Sequence, residues 1–171
     1  MMSDGKTLNI LTEDKIQRIL KRMSIQILEN NLGVSKVVLV GITGQGYQMA
    51  VLLQNILQTT HGASITCDLA ELIIDKKNPV EGDISLSIDI DLLNHQTVIL
   101  VDDVINTGRT QAYGIKFLLK AAIKKLETAI LVDRSHKLFP VSTSYCGLAL
   151  STTLEEHVEV SLETGRGAFL Y

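Results

Sequence analysis

Apolar and polar positions along this chain follow two different patterns, a continuous apolar run and a helical repeat. Residues 36–42, KVVLVGI, form an apolar run rich in β-branched side chains, which is typical of a strand buried on both faces of a sheet. Between Ile16 and Leu28 the apolar residues instead recur every three or four positions, which predicts an amphipathic helix. Thr12, followed by two acids, is its predicted N-cap, and Asn30, Asn31 and Gly33 end it. The chain therefore begins with a helix followed by a buried strand.

The same two patterns, together with turn residues, predict the remaining elements. A second helix covers residues 47–58 and ends at His61 and Gly62. Strands are predicted at residues 64–69, 84–90, 97–101, 128–132, 145–150 and 158–162, and a third helix at residues 110–125. Residues 70–83 are polar and turn-rich, which predicts a long mobile loop inside the domain. The alternation predicts an α/β fold, with a mostly parallel twisted sheet and helices on both faces, in one domain over residues 1–171.

Composition narrows the range of functions. The chain has 171 residues, of which 46% are hydrophobic and 20% charged, and its net charge of -3 gives no general attraction to nucleic acid or anionic membranes. No apolar run reaches the roughly 20 residues of a membrane span. Residues 1–6 lack the basic segment followed by an apolar segment that begins a signal peptide. Cys67 and Cys146 fit no metal or redox motif. We therefore expect a cytoplasmic protein with two reduced thiols.

Two adjacent carboxylates, Asp102 and Asp103, follow the apolar strand at 97–101. Burying a charge costs free energy unless it has a partner. The carboxyl ends of parallel strands, however, face the crevice in which open α/β sheets bind ligands. In such a crevice the two acids can accept hydrogen bonds from neighbouring hydroxyls, such as the 2′- and 3′-OH groups of a ribose.

A phosphate site is predicted a few residues further on, where Thr107, Gly108, Arg109 and Thr110 run into a helix. Gly108 permits a tight turn, and the first N–H groups of the helix have no partner inside it. The helix dipole and the threonine hydroxyls then favour an anion. Acids for sugar hydroxyls, followed by donors for a phosphate, suit a ribose 5-phosphate. The alternative is an acidic turn and a capped helix that bind nothing.

Residues 99–110, ILVDDVINTGRT, resemble the phosphoribosyl diphosphate (PRPP) motif of type I phosphoribosyltransferases. More narrowly, they resemble the PyrR family of pyrimidine-operon regulators, which also have uracil phosphoribosyltransferase activity. Weaker matches lie at residues 87–90, 129–136, 139–141, 144–147 and 158–163, and the resemblance covers residues 10–171. It implies the type I phosphoribosyltransferase fold and a homo-oligomer. It also implies Mg²⁺-dependent transfer of a 5-phosphoribosyl group from PRPP to a nucleobase, by resemblance uracil, with release of pyrophosphate.

The resemblance also assigns roles to residues. Asp102 and Asp103 are the expected catalytic pair on the ribose hydroxyls, and Asp103 is expected to reach Mg²⁺ through a bound water. The residues expected to bind PRPP are Asp102, Asp103, Asn106, Thr107, Gly108, Arg109 and Thr110, with Thr43, Gly44, Gln45 and Gly46 at the diphosphate. A pocket for the base is expected near Asp133, Arg134 and His136.

Several positions depart from the family pattern. Gln45 stands where the family usually has an arginine, and Asp68 and Leu69 replace a tyrosine-arginine pair. Leu148 replaces a lysine. Asn106, in place of a bulkier residue, either sets its amide near the reacting centre or stabilises the turn. Losing one well-placed donor to developing charge costs about 10²–10³ in rate, so the enzymatic activity is expected to be weak.

The departures leave a second hypothesis open. The chain could be a weakened relative that senses PRPP or nucleotides and regulates through RNA, although the net charge of -3 disfavours RNA. Lys76 and Lys77 either replace the missing cations when the predicted loop closes, or are solvated charges. A row of lysines on the third predicted helix is interpreted as a solvated face: Lys116, Lys120, Lys124 and Lys125.

Overall fold

The computed structural model describes residues 7–60, 65–153, 156–163 and 165–171. The elements, in chain order, are β1 (Leu8–Thr12), α1 (Glu13–Asn30), β2 (Lys36–Ile42), α2 (Gln45–Thr60), β3 (Thr66–Ile73), β4 (Ser85–Leu86), a short 3-10 helix (Ile90–Leu93), β5 (Thr97–Ile105), α3 (Arg109–Leu118), β6 (Lys125–Asp133), β7 (Tyr145–Ala149), β8 (Val158–Ser161) and β9 (Gly167–Leu170). No helix in the described part of the chain is both long and apolar enough to span a membrane.

A six-stranded sheet of order β4-β3-β2-β5-β6-β7 forms the centre of the molecule. Its strands run parallel except β4, which pairs antiparallel with β3 at one edge. Buried side chains of β2 point alternately to the two faces. Val37 and Leu39 pack with α1 and α2, whereas Val38 and Val40 share a core with Leu118 of α3. A mostly parallel sheet covered by helices on both faces confirms the predicted fold class.

A second, antiparallel sheet of order β1-β9-β8 joins the two ends of the chain. Val158 and Val160 of β8 are buried in the same core as α1 and α2, so this sheet packs firmly against the main one. The apolar pattern predicts neither β1 nor β9. β1 has only five residues, and its partner comes from the opposite end of the chain, where Leu8 pairs with Leu170.

The predicted loop at 70–83 and the predicted strand at 84–90 are wrong in extent. Residues 70–73 continue β3, because parallel pairing with β2 extends as far as Ile42 and Leu72. Within the predicted strand, only Ser85–Leu86 forms a β-strand, which pairs with β3. A 3-10 helix begins at Ile90, the last residue of the predicted strand. The alternating isoleucines that suggest a long strand instead pack singly against the core on the α3 side of the sheet.

α3 is shorter than predicted, because it ends at Leu118 and not at residue 125. The chain beyond it bonds to the loop before β5. The N–H of Ala122 donates to Asn94 Oδ1 at 2.7 Å, and its carbonyl accepts from the N–H of His95 at 2.8 Å. These bonds remove Ala122 from helical register, and β6 follows directly. The predicted helix end at His61 and Gly62, and the predicted strand start at residue 64, lie outside the described residues.

Candidate active site

β5 carries the acidic pair to the carboxyl edge of the main sheet. The strand extends to Ile105, four residues beyond its predicted end, so Asp102 and Asp103 are themselves strand residues. The Asp102 side chain is 1% exposed, and the Asp103 side chain is 14% exposed. Asp103, and not Asp102, lines a cleft at this edge. The two carboxylates that look equivalent in the sequence therefore occupy different environments.

The carboxyl group of Asp102 is enclosed by protein groups. Its Oδ1 atom accepts a 3.0 Å hydrogen bond from the N–H of Asp103 and a 2.9 Å bond from Lys76 Nζ. Its Oδ2 atom accepts a 2.7 Å bond from the side-chain amide of Gln111, which is itself buried. Gly46 closes the remaining side, since a β-carbon there would lie 2.7 Å from Oδ1. The sequence pattern gave no sign of Gln111, which looks like a polar residue on an amphipathic helix.

Lys76 bridges the two acids. Its Nζ atom lies 2.9 Å from Oδ1 of Asp102 and 3.2 Å from Oδ1 of Asp103. Burial, and secondly the charge of Asp103, raise the pKa of Asp102 to about 8 despite the opposing effect of Lys76. Burial alone would lower the pKa of Lys76, but the charges of Asp102 and Asp103 outweigh it, and its pKa is raised. The lysine therefore keeps its positive charge at neutral pH.

The predicted phosphate loop has the backbone of an anion site. Gly108 is buried with φ of 80°, the left-handed conformation that glycine adopts freely, and α3 begins at the next residue. The N–H of Arg109 donates to Thr107 Oγ1 at 3.3 Å, and the first helical bond runs from Ala112 to the Gly108 carbonyl at 2.9 Å. The N–H of Thr110 therefore lies in the first turn, where helical N–H groups have no helical acceptor.

The segment after β6 packs against the predicted phosphate loop and holds it in place by hydrogen bonds. The Thr107 carbonyl accepts from the N–H groups of Leu138 and Phe139, at 2.9 and 3.0 Å. A β-carbon at Gly108 would come within 3.2 Å of the Phe139 carbonyl, so the glycine is needed for close packing as well as for its φ angle. Asn106, at the start of the loop, is exposed and lines the cleft beside Asp103.

The glycine loop between β2 and α2 has its side chains committed to other parts of the protein. The Thr43 hydroxyl donates to Glu71 Oε1 at 2.8 Å, and its N–H donates to the Leu72 carbonyl at 2.9 Å. Gln45 Oε1 accepts a 2.8 Å bond from the N–H of Leu162, which ties this loop to the small sheet. Gly44 has φ of 86°, and no atom lies within 4 Å of a β-carbon placed there. What the loop can offer a ligand is the backbone at the start of α2.

Asp133, the first of the three predicted base-pocket residues, stabilises a loop. Its Oδ2 atom accepts from Lys137 Nζ at 2.8 Å and from the Thr143 hydroxyl at 3.0 Å, and its Oδ1 atom accepts from the N–H of Ser135 at 2.9 Å. Burial opposes ionisation of Asp133, but these hydrogen bonds outweigh it and hold its pKa below the ordinary value. The carboxylate is therefore ionised and fully bonded.

Arg134 and His136, the other two, hold the segment before β8. The Arg134 guanidinium donates to Thr152 Oγ1 at 3.0 Å and to the carbonyls of Thr153 and Glu156. A ring nitrogen of His136 bonds to the Thr152 carbonyl. Of the three predicted base-pocket residues, Arg134 lines the cleft that Asp103 also lines. The structure therefore brings one of the three to the acidic pair.

The cleft has a volume of about 440 Å³. The end of β5, the start of α2 and the loops after β3, β5 and β6 form one wall, and β8 of the small sheet forms the other. The residues that line it are Gln45, Lys76, Asp103, Val104, Asn106, Arg134, His157, Val158, Glu159 and Val160. The β8 wall could not be predicted as part of the site, since its residues form an ordinary short strand far from the acids in sequence.

This site can hold a magnesium ion only if substrate phosphates and water supply most of its ligands. Within the described part of the chain, no group of three or more potential metal ligands comes together. Mg²⁺ in nucleotide and phosphate enzymes is typically held by one or two carboxylates together with substrate phosphates and water. Asp103, a partly exposed carboxylate on the cleft, is suited to that kind of shared site.

Comparison with known proteins identifies the class. Solved structures with the same fold include a hypoxanthine-guanine phosphoribosyltransferase from Bacillus anthracis, with a TM-score of 0.71 and 17% identity over 83% of this chain and 81% of that one. A hypoxanthine phosphoribosyltransferase from Staphylococcus aureus gives a TM-score of 0.69 and 18% identity, over 84% of this chain and 77% of that one. The fold is therefore that of the type I phosphoribosyltransferases.

Sequence relatives narrow the assignment. The family model described as "Phosphoribosyl transferase domain" matches residues 6–163, and the chain belongs to this family. Among its relatives is the "Bifunctional protein PyrR" of Alkaliphilus metalliredigens, 31% identical over 92% of this chain and 90% of that protein. The protein of the same name from Actinobacillus pleuropneumoniae is 35% identical over 88% of this chain and 87% of its own length. These matches confirm the family that residues 99–110 indicate.

Proposed function

We propose that this protein catalyses Mg²⁺-dependent transfer of a 5-phosphoribosyl group from PRPP to a pyrimidine base, uracil, with release of pyrophosphate. One observation carries the proposal. A single strand, β5, brings the carboxylate of Asp103 to a cleft and leads directly through Gly108 into the amino end of α3. A sugar hydroxyl needs an acceptor and a phosphate needs donors, and this segment supplies both in the order that a ribose 5-phosphate requires.

The proposed roles follow from these positions. Asp103 accepts hydrogen bonds from the ribose hydroxyls, and the backbone N–H groups and hydroxyls of Thr107 to Thr110 hold the 5′-phosphate. The backbone of Thr43 to Gly46 binds the diphosphate. Mg²⁺, when bound with PRPP, neutralises negative charge on the departing diphosphate. As the bond from C1 to the diphosphate oxygen breaks, the leaving group takes the electron pair, and donors fixed in place stabilise it. The base nitrogen bonds to C1 and loses its proton, which passes to the departing diphosphate.

The base would occupy the cleft between β6 and the small sheet. Arg134 is the predicted base-pocket residue that lines this cleft. Its guanidinium bonds to the segment of residues 152–156 and so shapes the pocket wall. Direct contacts of Asp133, Arg134 and His136 with a base, and of Asp102 with a sugar hydroxyl, stay predictions.

A turnover assay tests the proposal. Protein, PRPP and Mg²⁺ are incubated with uracil, cytosine, adenine, guanine or hypoxanthine, and nucleotide and pyrophosphate are measured separately. We expect equal amounts of uridine monophosphate and pyrophosphate with uracil. The absence of nucleotide with every base would defeat the enzymatic part of the proposal.

A second candidate is a protein that binds PRPP or a nucleotide and regulates without efficient turnover. Gln45 favours it, because this neutral side chain bonds to the N–H of Leu162 and brings no positive charge to the diphosphate loop. Calorimetry distinguishes the two candidates. Saturable binding of uridine monophosphate or PRPP, together with no product for any base, would support the sensor and contradict the enzyme.

The proposal also covers macromolecular partners, which are further copies of this chain and RNA. We propose a cytoplasmic homo-oligomer, and large exposed apolar side chains such as Leu32, 84% exposed, and Leu138, 80% exposed, are candidates for its contacts. Light scattering coupled to size-exclusion chromatography tests this, and a monomer at micromolar concentration would contradict it. RNA is not proposed as a partner, since the net charge is -3. A gel shift with pyrimidine-operon leader RNA checks that view.

A further inference from the structure

A polar pocket lies at the opposite edge of the main sheet from the acidic pair. It has a volume of about 240 Å³ and is lined by residues 33–36 at the start of β2, by residues 95–97 at the start of β5, and by Lys124. Thr97 and Asp103 lie near opposite ends of β5. At a rise of about 3.3 Å per residue, about 20 Å separates this pocket from the cleft.

Basic side chains surround this pocket. Lys36, His95 and Lys124 line it, and no acidic residue does so in the described part of the chain. Lys36 Nζ lies 2.6 Å from Oδ2 of Asp68, which is outside the pocket. Lys124 forms no ion pair with any described residue. The pocket therefore has positive charge that no lining carboxylate compensates.

The side chain of Thr97 is a buried polar group without a protein partner. The residue is 2% exposed and lines the pocket. Its hydroxyl makes no hydrogen bond to another residue that the structure describes. Buried polar groups in folded proteins normally have a partner, so this hydroxyl is free to bond to a ligand in the pocket.

Backbone hydrogen bonds hold the walls of the pocket together. The N–H of His95 donates to the Ala122 carbonyl at 2.8 Å, and the N–H of Lys124 donates to the Gln96 carbonyl at 3.0 Å. His95 has φ of 61°, a conformation that residues with a side chain rarely adopt. The backbone that carries the basic residues is therefore fixed beside Thr97 before any ligand binds, which lowers the entropic cost of binding.

The chemistry and size of the pocket restrict the ligand. Val34 is the one apolar side chain among the described residues that line it, so an apolar ligand would gain little. Lysine ammonium groups are common ligands of phosphate oxygens, and hydroxyl groups add neutral donors. The volume of about 240 Å³ accommodates a tetrahedral oxyanion together with several waters, which occupy about 30 Å³ each.

We propose that this pocket binds a small phosphate-type oxyanion, with Lys124, His95 and Thr97 as its principal ligands. The site goes beyond the proposed function and does not depend on it, since none of its described lining residues also lines the cleft. Inorganic phosphate and the phosphate group of a nucleotide share this chemistry, so both are used as probes.

The test is an NMR titration of the isotope-labelled full chain with inorganic phosphate. Backbone amide signals of Ser35 and Gln96 report on the pocket, and that of Thr110 reports on the predicted phosphate loop. We expect a saturable shift of the pocket signals. Lys124→Met should weaken this binding by about tenfold or more, the value of a charge-assisted hydrogen bond. Lys120→Met, at an exposed lysine outside the pocket, is the matched control and should bind as the wild type does.

Thr97→Val tests the buried hydroxyl. It should weaken phosphate binding by about threefold or more, the value of a neutral hydrogen bond, and Thr97→Ser should restore it. Because the hydroxyl has no partner among the described residues, Thr97→Val should be at least as stable as the wild type to urea without phosphate. Added phosphate should then stabilise the wild type more than the variant. A Thr97→Val protein that is less stable without phosphate would overturn the assignment of this hydroxyl to a ligand.

The absence of a saturable shift at Ser35 and Gln96 would overturn the site. Equal weakening by Lys124→Met and Lys120→Met would also overturn it, since the effect would then come from net charge. Uridine monophosphate is the second probe: tighter binding at the pocket signals than with inorganic phosphate would identify a phosphate ester as the ligand. A shift of the pocket signals by either probe, with none at Thr110, would support this site and contradict the predicted phosphate loop.

Discussion

The side-chain amide of Gln111 donates a 2.7 Å hydrogen bond to Oδ2 of Asp102, and both groups are buried. This bond joins the first turn of α3 to the end of β5, on either side of the predicted phosphate loop. It therefore connects the position of the acidic pair to the orientation of the helix that follows.

Removing that amide should destabilise the fold. Gln111→Leu leaves Asp102 Oδ2 without a donor, which is expected to lower the free energy of unfolding by about 1–3 kcal/mol. The matched control is Gln26→Leu on α1, because Gln26 Oε1 is buried and has no hydrogen-bond partner among the described residues. That control should be neutral or stabilising. Urea denaturation measures both, and equal effects of the two substitutions would show that the bond to Asp102 contributes nothing specific.

Gly46 should tolerate no side chain. A β-carbon at this position would lie 2.7 Å from Asp102 Oδ1 and 3.0 Å from the Val101 carbonyl, so Gly46→Ala forces the α2 start away from β5. We expect a loss of about 1–3 kcal/mol in the free energy of unfolding. Gly33→Asn is the control, since no atom lies within 4 Å of a β-carbon there and asparagine accepts its φ of 80°. A Gly46→Ala variant as stable as the control would contradict the close packing.

The buried carboxyl group of Asp102 should make stability depend on pH. Burial raises its pKa in the folded protein to about 8, from an ordinary value of 3.8. The folded state thus binds a proton that the unfolded state releases, so the cost of Asp102 is absent below pH 4 and grows until about pH 8. Relative to wild type, Asp102→Asn should gain stability as pH rises through this window, by at most about 1.4 kcal/mol per pH unit.

Urea titrations of both proteins at several pH values measure this difference, in which titrating groups that do not interact with Asp102 cancel. Asp133 needs no separate correction, because its pKa is lowered in both proteins. A stability difference that stays constant between pH 5 and 8 would show that Asp102 is ionised in the folded protein throughout.

The two thiols should be slow to react. Burial, and secondly the charge of Asp68, raise the pKa of Cys67 to about 12, and burial is also the main cause of the raised pKa of Cys146. The thiolate is the reactive form, so both cysteines should be alkylated much more slowly at pH 8 than a free cysteine in denaturant. Cys146 is less buried and should react before Cys67. Mass spectrometry after timed treatment with iodoacetamide measures the order, and faster labelling of Cys67 would contradict the structure.

The parts of the fold that depend on local chemistry could be predicted from the sequence. β2, most of β5 and the centre of β6 are apolar runs, and the alternation of strands and helices predicts that the sheet is mostly parallel. Thr12 caps α1 as predicted, with its hydroxyl accepting from the N–H of Lys15 at 3.4 Å. The left-handed turn at Gly108 and the start of α3 also lie where the loop chemistry placed them.

The parts of the fold that depend on contacts between segments far apart in the sequence could not be predicted. β1 is too short to show a period, and its register comes from Leu170 at the other end of the chain. The different environments of Asp102 and Asp103 depend on Lys76 and Gln111, which reach the pair from other elements. Neighbouring acids look identical in a sequence, and only their packing shows which one is exposed to the cleft.

The central claim is that the cleft at Asp103 and the amino end of α3 binds a phosphorylated ribose, and calorimetric titration with PRPP and Mg²⁺ tests it most directly. The wild type should show saturable binding, and Asp103→Asn should weaken it by about tenfold or more, the value of a hydrogen bond to a charged group. The control is Asp14→Asn, at an exposed carboxylate on α1 that is paired with Arg18 and should leave affinity unchanged. No saturable binding to the wild type, or equal affinity of wild type and Asp103→Asn, would contradict the account.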